Sequence, residues 1–216
     1  MVENMAAVVV GTQALAPKTC FCENYDLIWG NKVNCDFRKK VVEICNELWG
    51  ESRKVEMANG LMAVMNVETA GSFKAHQIMG RALKDVNQLT KDDFWLTKSD
   101  GTKTSRAVGL IQFTQTALVQ IGEFTNGTGF DKLHEVKLRF AKMGEVAQLD
   151  YVKKYFQPAK DKIKTAEDIY LQVLHQAVLV KKKIMFYILK EQKNTDKTKV
   201  LMKKIIVMVK YNALKF

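Results

Sequence analysis

Residues 61–73 read Leu-Met-Ala-Val-Met-Asn-Val-Glu-Thr-Ala-Gly-Ser-Phe, an apolar helix pattern that carries one carboxylate. Leu61, Met65 and Glu68 follow one another at spacings of four and three residues, which places them on one helical face. Gly71 stands where a helix usually ends, since glycine adopts the left-handed conformation of a helix C-terminus without strain. The pattern predicts a helix that ends just before Gly71, with Glu68 near its end.

The position of Glu68 on this apolar face allows two interpretations. A carboxylate in an apolar environment is costly to ionise, which raises its pKa, and an acid that keeps its proton near neutral pH can act as a general acid. The alternative is an ordinary helix-end glutamate that is solvated or hydrogen-bonded. The helix pattern alone favours that alternative, because charged side chains are rarely buried unpaired.

The composition is that of one globular domain, rich in helix, with a basic segment at its end. The chain has 216 residues, 47% of them hydrophobic and only two of them proline, and its net charge is +11. Residues 181–216 hold eleven lysines and two acids, a net of +9, so residues 1–180 keep only +2. Because the charge belongs to the tail and not to the domain, the sequence argues against a nucleic-acid partner.

The four cysteines all lie in the first quarter of the chain. Their Cys-x-Cys pair lacks the common Cys-x-x-Cys spacing of zinc sites, so one or two disulfides are the first interpretation, with free thiols or a zinc site as alternatives. The three histidines have no ligand spacing, and we expect them at the surface or hydrogen-bonded in the core. We expect no cofactor. The residues concerned are Cys20, Cys22, Cys35, Cys45, His76, His134 and His175.

Polar breaks divide the chain into three predicted parts: an N-terminal arm with the Cys-x-Cys turn over 1–34, a globular domain over 35–180 and a basic tail over 181–216. Asp100-Gly101 predicts a short β-hairpin with Phe94 and Leu96 on one face. Helices are predicted from an N-cap at Asp36 to Trp49, then over Lys54–Ala70, Thr114–Ile121, Asp131–Arg139 and Glu145–Phe156, and from a capping box at Thr165 and Asp168.

Three segments stand in the order of a known family. Val67-Glu-Thr-Ala-Gly71 resembles the Glu-Ser/Thr-x-Gly motif of goose-type lysozymes and soluble lytic transglycosylases, and Ala107-Val-Gly-Leu-Ile-Gln-Phe113 resembles their Gly-Leu-Met/Ile-Gln motif. Segments 148–156 and 166–175 look like the later helices of phage-endolysin and secreted antibacterial-effector members. The resemblance covers roughly residues 37–175, and the order of the motifs is more specific than any one of them.

The resemblance implies a mainly α (α+β, lysozyme-like) fold, in which a helical domain carries a small β-hairpin flap over a sugar-binding groove. It implies that Glu68 is the general acid/base that cleaves the β-1,4 bond between MurNAc and GlcNAc in peptidoglycan. Gly109 would let the backbone approach the sugar, and Gln112 would bond its hydroxyl or acetamido groups. The implied substrate-binding residues are Gly109, Ile111, Gln112, Phe113, Tyr151 and Tyr170.

The second carboxylate is where the sequence departs from the family. Goose-type lysozymes have an aspartate directly after the Gly-Leu-Met-Gln-x run, and this position is Thr114 here. Asp100 is the candidate for a second carboxylate, although its position also suits a turn. Hydrolysis with inversion needs a base that activates water, whereas a lytic transglycosylase uses one glutamate as acid and then as base. The choice between these two reactions stays open.

The tail after residue 180 does not continue the family pattern. It is rich in lysine, isoleucine and methionine, the residues of A/T-rich codons, and another reading frame of such codons can encode an ending like that of phage-type and toxin-type members. One hypothesis is therefore that residues 181–216 are a frameshifted C-terminus. The other is a basic amphipathic segment that binds an anionic membrane or the cell wall.

The sequence as a whole predicts an enzyme that degrades peptidoglycan, either a phage endolysin or a secreted antibacterial effector. Its partners would be glycan strands and, for an effector, an immunity protein. The protein would be secreted or delivered to the cell wall or periplasm, although the N-terminus shows no clear signal peptide because it carries Glu3 and no lysine or arginine. Two alternatives from other classes are a non-catalytic wall-binding module and a cationic membrane-active protein.

Overall fold

The computed structural model describes residues 26–174, which form six α-helices, one two-stranded antiparallel sheet and four short 3-10 turns. This confirms the mainly α class with one hairpin. The elements are α1 (Cys35–Trp49), α2 (Lys54–Glu68), β1 (Trp95–Thr97), β2 (Lys103–Ser105), α3 (Gln115–Gln120), α4 (Phe130–Lys142), α5 (Glu145–Phe156) and α6 (Ala166–Leu174). The 3-10 turns are Gly30–Lys32, Val86–Gln88, Lys91–Phe94 and Gln157–Lys162. The Cys20-x-Cys22 turn, His175 and the tail of 181–216 lie outside the described residues.

Helix α2 is the centre of the core. It packs against both α1 and α6, and α1 in turn packs against α5. The contact with α6 is close because Gly60 has no side chain: a Cβ there would lie 2.7 Å from the Cβ of Ala166. The helix ends at Glu68, two residues before the predicted Ala70, and Gly71 closes the turn that follows: its φ is +80° and its N–H donates to the Asn66 carbonyl at 2.7 Å. Its fully buried side chains include Met57, Leu61, Met62 and Met65.

Helix α1 begins two residues earlier than predicted. Its N-cap is Asn34 and not Asp36: the Asn34 side-chain oxygen accepts a hydrogen bond from the Phe37 N–H at 2.8 Å. Asp36 lies in the first turn, where a negative charge is also favourable. Both residues suit a helix start, and the one that leaves Phe37 facing the core is used.

Cys35 and Cys45, the two cysteines within residues 26–174, do not form a zinc site there. Cys35 is disulfide-bonded, and a disulfide sulfur has no thiolate to offer a metal. Cys45 is a free thiol on the buried face of α1, where burial raises its pKa. Among residues 26–174 no group of histidine, cysteine and carboxylate side chains has the arrangement of a metal site.

The predicted hairpin is present and is docked on α4. Strands β1 and β2 pair with Leu96 opposite Thr104. The ring of Trp95 lies 5.0 Å from that of Phe130, which begins α4. Phe94, predicted on the same face as Leu96, precedes the strand in a 3-10 turn and is fully buried. In the part of the chain that is described, no helix is long and apolar enough to cross a membrane.

Lys137 of α4 is a buried lysine that holds the end of the hairpin. Its side chain has no exposed surface, and its Nζ donates to the Ser105 hydroxyl at 2.7 Å and to the Arg106 carbonyl at 2.6 Å. Burial disfavours the charged ammonium and lowers the pKa of Lys137 from 10.5 to about 7. The hairpin is therefore attached to the helical domain through a group that titrates near neutral pH.

The wild-type protein should become more stable as the pH rises above neutral, and the Lys137→Met variant should lack this rise. Above the folded pKa, the unfolded chain still binds the lysine proton that the folded protein has released, so the free energy of unfolding rises with pH by up to about 1.4 kcal/mol per unit. Below that pKa the folded and the unfolded protein both hold the proton, so Lys137 no longer makes the free energy of unfolding depend on pH. The measurement compares urea unfolding of the two proteins at about pH 7 and about pH 8.5.

At higher pH, Cys45 opposes the rise in the free energy of unfolding that Lys137 causes. Since burial raises the pKa of its thiol, the unfolded chain ionises first above the ordinary value of 9.0, and stability then falls with pH. The comparison of slopes between wild type and variant is independent of any uniform loss caused by the substitution. Equal slopes in the two proteins would contradict the lowered pKa of Lys137.

Candidate active site

Glu68 is the last residue of α2 and is half-buried, facing two tyrosines from other helices. Burial first, and the Glu68 charge second, raise the pKa of Tyr155 in α5 to about 12 and raise that of Tyr170 in α6 as well. Both phenols therefore keep their protons at neutral pH beside the carboxylate. Tyr170 was predicted for the site. Tyr155 was missed, although it lies one helical turn after the predicted Tyr151.

The turn that follows Glu68 is fixed by Thr69. The Thr69 side chain is fully buried, and its hydroxyl donates to the Met65 carbonyl at 2.6 Å and accepts from the Phe73 N–H at 2.9 Å. Ala70 and Phe73 have φ values of 51° and 54°, in the left-handed region that side chains disfavour. Such strained residues persist only where surrounding contacts hold them, and they cluster at functional sites.

The second motif forms a tight, strained turn. Val108 and Phe113 exchange backbone hydrogen bonds of 3.3 and 2.7 Å, and the Gln112 N–H donates to the Gly109 carbonyl at 3.1 Å. Gln112 itself has a φ of 54°. Val108 also forms an isolated β-bridge with Ile78. The motif is thus a small loop, and its β-bridge joins it to the segment that follows the Glu68 turn.

Gln148 of α5 anchors this loop from the core. Its side chain is fully buried; its Oε1 accepts from the Leu110 N–H at 2.7 Å, and its Nε2 donates to the carbonyls of Ala75 at 3.2 Å and Phe140 at 2.9 Å. A Cβ on Gly109 would lie 2.3 Å from Gln148 Oε1. Gly109 is therefore required by the close packing of Gln148, and the predicted approach of a sugar at this residue stays a prediction.

Gln77 joins the two motif turns. Its Oε1 accepts from the Ser72 hydroxyl at 3.3 Å, in the turn after Glu68. Its backbone carbonyl accepts from the Gly109 N–H at 2.9 Å and from Gln112 Nε2 at 3.1 Å. The two motifs, about forty residues apart in sequence, belong to one hydrogen-bonded unit. Nothing in the local sequence pattern marks Gln77 for this role, because its partners are set by the fold.

No protein-family model, no curated protein and no solved structure matches this chain.

Two of the predicted substrate residues belong to the core. Ile111 is 3% exposed and Phe113 is fully buried with its ring 5.2 Å from that of Phe140, so neither has surface to offer a sugar. Gln112 is half-buried, and its Nε2 is occupied by the carbonyls of Gln77 and Gly109. Its Oε1 is buried without a hydrogen-bond partner. That oxygen, like the side chains of Ile111 and Phe113, has no exposed surface to offer a ligand.

Tyr151 takes part in a charged cluster on α5. Its ring lies 4.6 Å from that of Phe140 and 5.1 Å from Lys154 Nζ, and its hydroxyl is 3.5 Å from Arg139. Glu123 pairs with both Arg139 and Lys154, at 2.7 and 3.3 Å. The partners of Tyr151 explain its position without a ligand, and its role in substrate binding stays a prediction.

Neither candidate position for a second carboxylate has a free acid. Asp100 is exposed at the hairpin tip and accepts from the Thr102 N–H at 2.8 Å, a bond that lowers the pKa of Asp100. This carboxylate shapes the turn. Thr114, at the family's aspartate position, is the N-cap of α3 and accepts from the Ala117 N–H at 3.2 Å. Each residue has a local structural role that accounts for its identity.

The histidines are only partly as expected. His134 is buried among aromatic rings, 4.5 Å from that of Trp95, and burial lowers its pKa. Its Nε2 has no hydrogen-bond partner, so the expectation of a hydrogen-bonded core histidine is wrong at this atom. His76 is half-buried, and burial lowers its pKa too.

Proposed function

We propose that this protein cleaves the β-1,4 bond between MurNAc and GlcNAc in peptidoglycan, with Glu68 as general acid and a lysozyme-like arrangement of helices and hairpin flap. The observation that carries the proposal is the meeting of the two motif turns through Gln77. Motifs that merely resembled a family by chance would have no reason to share a buried hydrogen-bonded unit. The half-buried Glu68 beside two neutral phenols adds a carboxyl group in a setting suited to proton donation.

The chemistry requires one proton and one nucleophile. Glu68 donates its proton to the glycosidic oxygen as the bond from that oxygen to the muramic C1 breaks. In hydrolysis, water attacks C1 and gives its proton to a carboxylate base, which leaves a reducing end. In transglycosylation, the Glu68 carboxylate takes the proton of the muramic 6-hydroxyl while the oxygen of that hydroxyl bonds to C1. The product has a 1,6-anhydro end. Asp100 and Thr114 have other roles, and this favours the second route because it needs only one carboxylate.

The first test is the clearing of a suspension of purified peptidoglycan by the full-length wild-type protein. The account predicts a fall in turbidity that depends on protein concentration, with no added cofactor. Such an enzyme would work as an endolysin or a secreted effector at the cell wall or in the periplasm, and an effector would have an immunity protein as partner. A suspension that stays turbid with folded protein would overturn the proposal.

A further inference from the structure

A cavity of about 540 Å³ lies in the segment between the two motif turns and opens to solvent. Apolar side chains form part of its wall, and charged and polar side chains form the rest. None of the residues predicted for the site lines it. The wall includes His76, Ile78, Arg81, Lys84, Asp85 and Asp93.

The wall of the cavity is bonded to the two motif turns. Ile78 in its wall forms the β-bridge with Val108 of the second motif. The carbonyl of Arg81 accepts from Gln77 Nε2 at 3.0 Å, and Gln77 is the residue that joins the two motif turns. The cavity wall and the motif turns therefore belong to one bonded unit of the structure.

The wall carries two cations, Arg81 and Lys84, and two carboxylates, Asp85 and Asp93, so its formal charge is zero. Lys84 pairs with Asp93 at 3.2 Å, and Asp85 accepts from the Asn87 N–H at 2.9 Å. Within residues 26–174, no carboxylate lies at ion-pair distance from Arg81.

A second guanidinium, that of Arg106, lies close to the same loop. It is held by the carbonyls of Trp95 and Met79, each at 2.9 Å. Burial first, and the charge of Arg81 second, lower the pKa of Arg106. Two like charges in mutual reach are stabilised by an anion placed beside them, and a guanidinium suits a carboxylate because its N–H groups match the two oxygens.

We propose that this cavity binds a carboxylate of the peptide attached to the glycan, with the Arg81 guanidinium as its partner. The inference rests on the proposed function for the identity of the ligand, since peptidoglycan carries stem peptides with free carboxylates next to the bond that is cut. Arg81 is then a specificity-determining residue, which selects peptide-bearing glycan over bare glycan.

The binding test uses a synthetic stem peptide, L-alanyl-D-glutamyl-L-lysine with free carboxylates, titrated calorimetrically into the full-length protein. Arg81→Gln should weaken binding at least about tenfold, because it removes the charged donor of the hydrogen bonds to the carboxylate. Lys98→Gln, an exposed lysine at the hairpin turn, is the matched control and should bind as the wild type does. A peptide with its carboxylates converted to amides should not bind. Equal binding by Arg81→Gln, or binding of the amidated peptide, would overturn the proposal.

A cleavage test separates this proposal from the proposed function. The substrates are intact peptidoglycan and the same glycan stripped of peptides by an amidase. Arg81→Gln should raise KM on intact peptidoglycan and leave cleavage of stripped glycan unchanged. An equal loss on both substrates would show a structural role and overturn the site. Peptide binding through Arg81 without any glycan cleavage would instead support the carboxylate site and overturn the enzyme.

Discussion

Gly109→Ala should lower the free energy of unfolding by about 3–5 kcal/mol, the largest stability effect expected in this protein. The new Cβ would lie 2.3 Å from Gln148 Oε1, so the buried amide has to move and its bond to the Leu110 N–H weakens. Overpacking of a core costs about 1–3 kcal/mol, and an unsatisfied buried donor about 1–3 kcal/mol more. A φ of +91° adds backbone strain for alanine.

Gly127→Ala is the matched control for this prediction. Its φ of +90° is nearly that of Gly109, but a Cβ there would meet no atom within 4 Å. In the control, only backbone strain should lower the free energy of unfolding, by about 1–2 kcal/mol. Urea unfolding of both variants measures the difference, and equal losses would mean that Gln148 does not set the requirement for glycine.

A double variant tests the same contact from the other side. Gln148→Ala alone leaves the Leu110 N–H and the carbonyls of Ala75 and Phe140 without their partner. It also removes the atoms that a Cβ at Gly109 would strike. The double variant should therefore lose less stability than the two single losses together, and strict additivity would count against the contact.

Glu68→Gln should reduce the rate of peptidoglycan clearing by roughly 10²–10⁴-fold, the range that a positioned general acid contributes. Glutamine keeps the size and hydrogen-bonding capacity of the side chain but carries no acidic proton. The half-buried position predicts little change in melting temperature, so the loss should be one of activity alone.

Glu56→Gln is the control for Glu68→Gln, because Glu56 lies on the same helix in an exposed position. It should clear peptidoglycan at the wild-type rate. If both variants kept full activity, Glu68 would not be the general acid. If both lost it equally, the effect would be one on the helix and not on proton transfer.

Much of the fold follows from local sequence patterns. Helix α5 has the predicted bounds, Gly71 ends the turn after α2, and Asp100-Gly101 makes the hairpin. These features depend on periodicity and on residues suited to one backbone conformation, and both act over a few positions. The N-cap of α1 was misassigned because Asn34 and Asp36 both suit a helix start, and only packing of the next turn distinguishes them.

The candidate site was predictable only in part. Glu68 and Tyr170 were found by pattern and resemblance, and the structure places them in electrostatic contact. The roles of Gln77 and Gln148 were not found, since a buried amide is defined by backbone partners that are remote in sequence. Resemblance also named Phe113 as a substrate contact, although an aromatic residue in a tight loop serves equally well as its core anchor.

The most direct test of the central claim is mass spectrometry of the soluble products released from purified peptidoglycan. The account predicts fragments cut between MurNAc and GlcNAc that accumulate with wild-type protein and are nearly absent with Glu68→Gln. A 1,6-anhydro-muramic end would identify transglycosylation, and a reducing muramic end would identify hydrolysis. Absence of any fragment cut at this bond, or equal amounts from both proteins, would contradict the account.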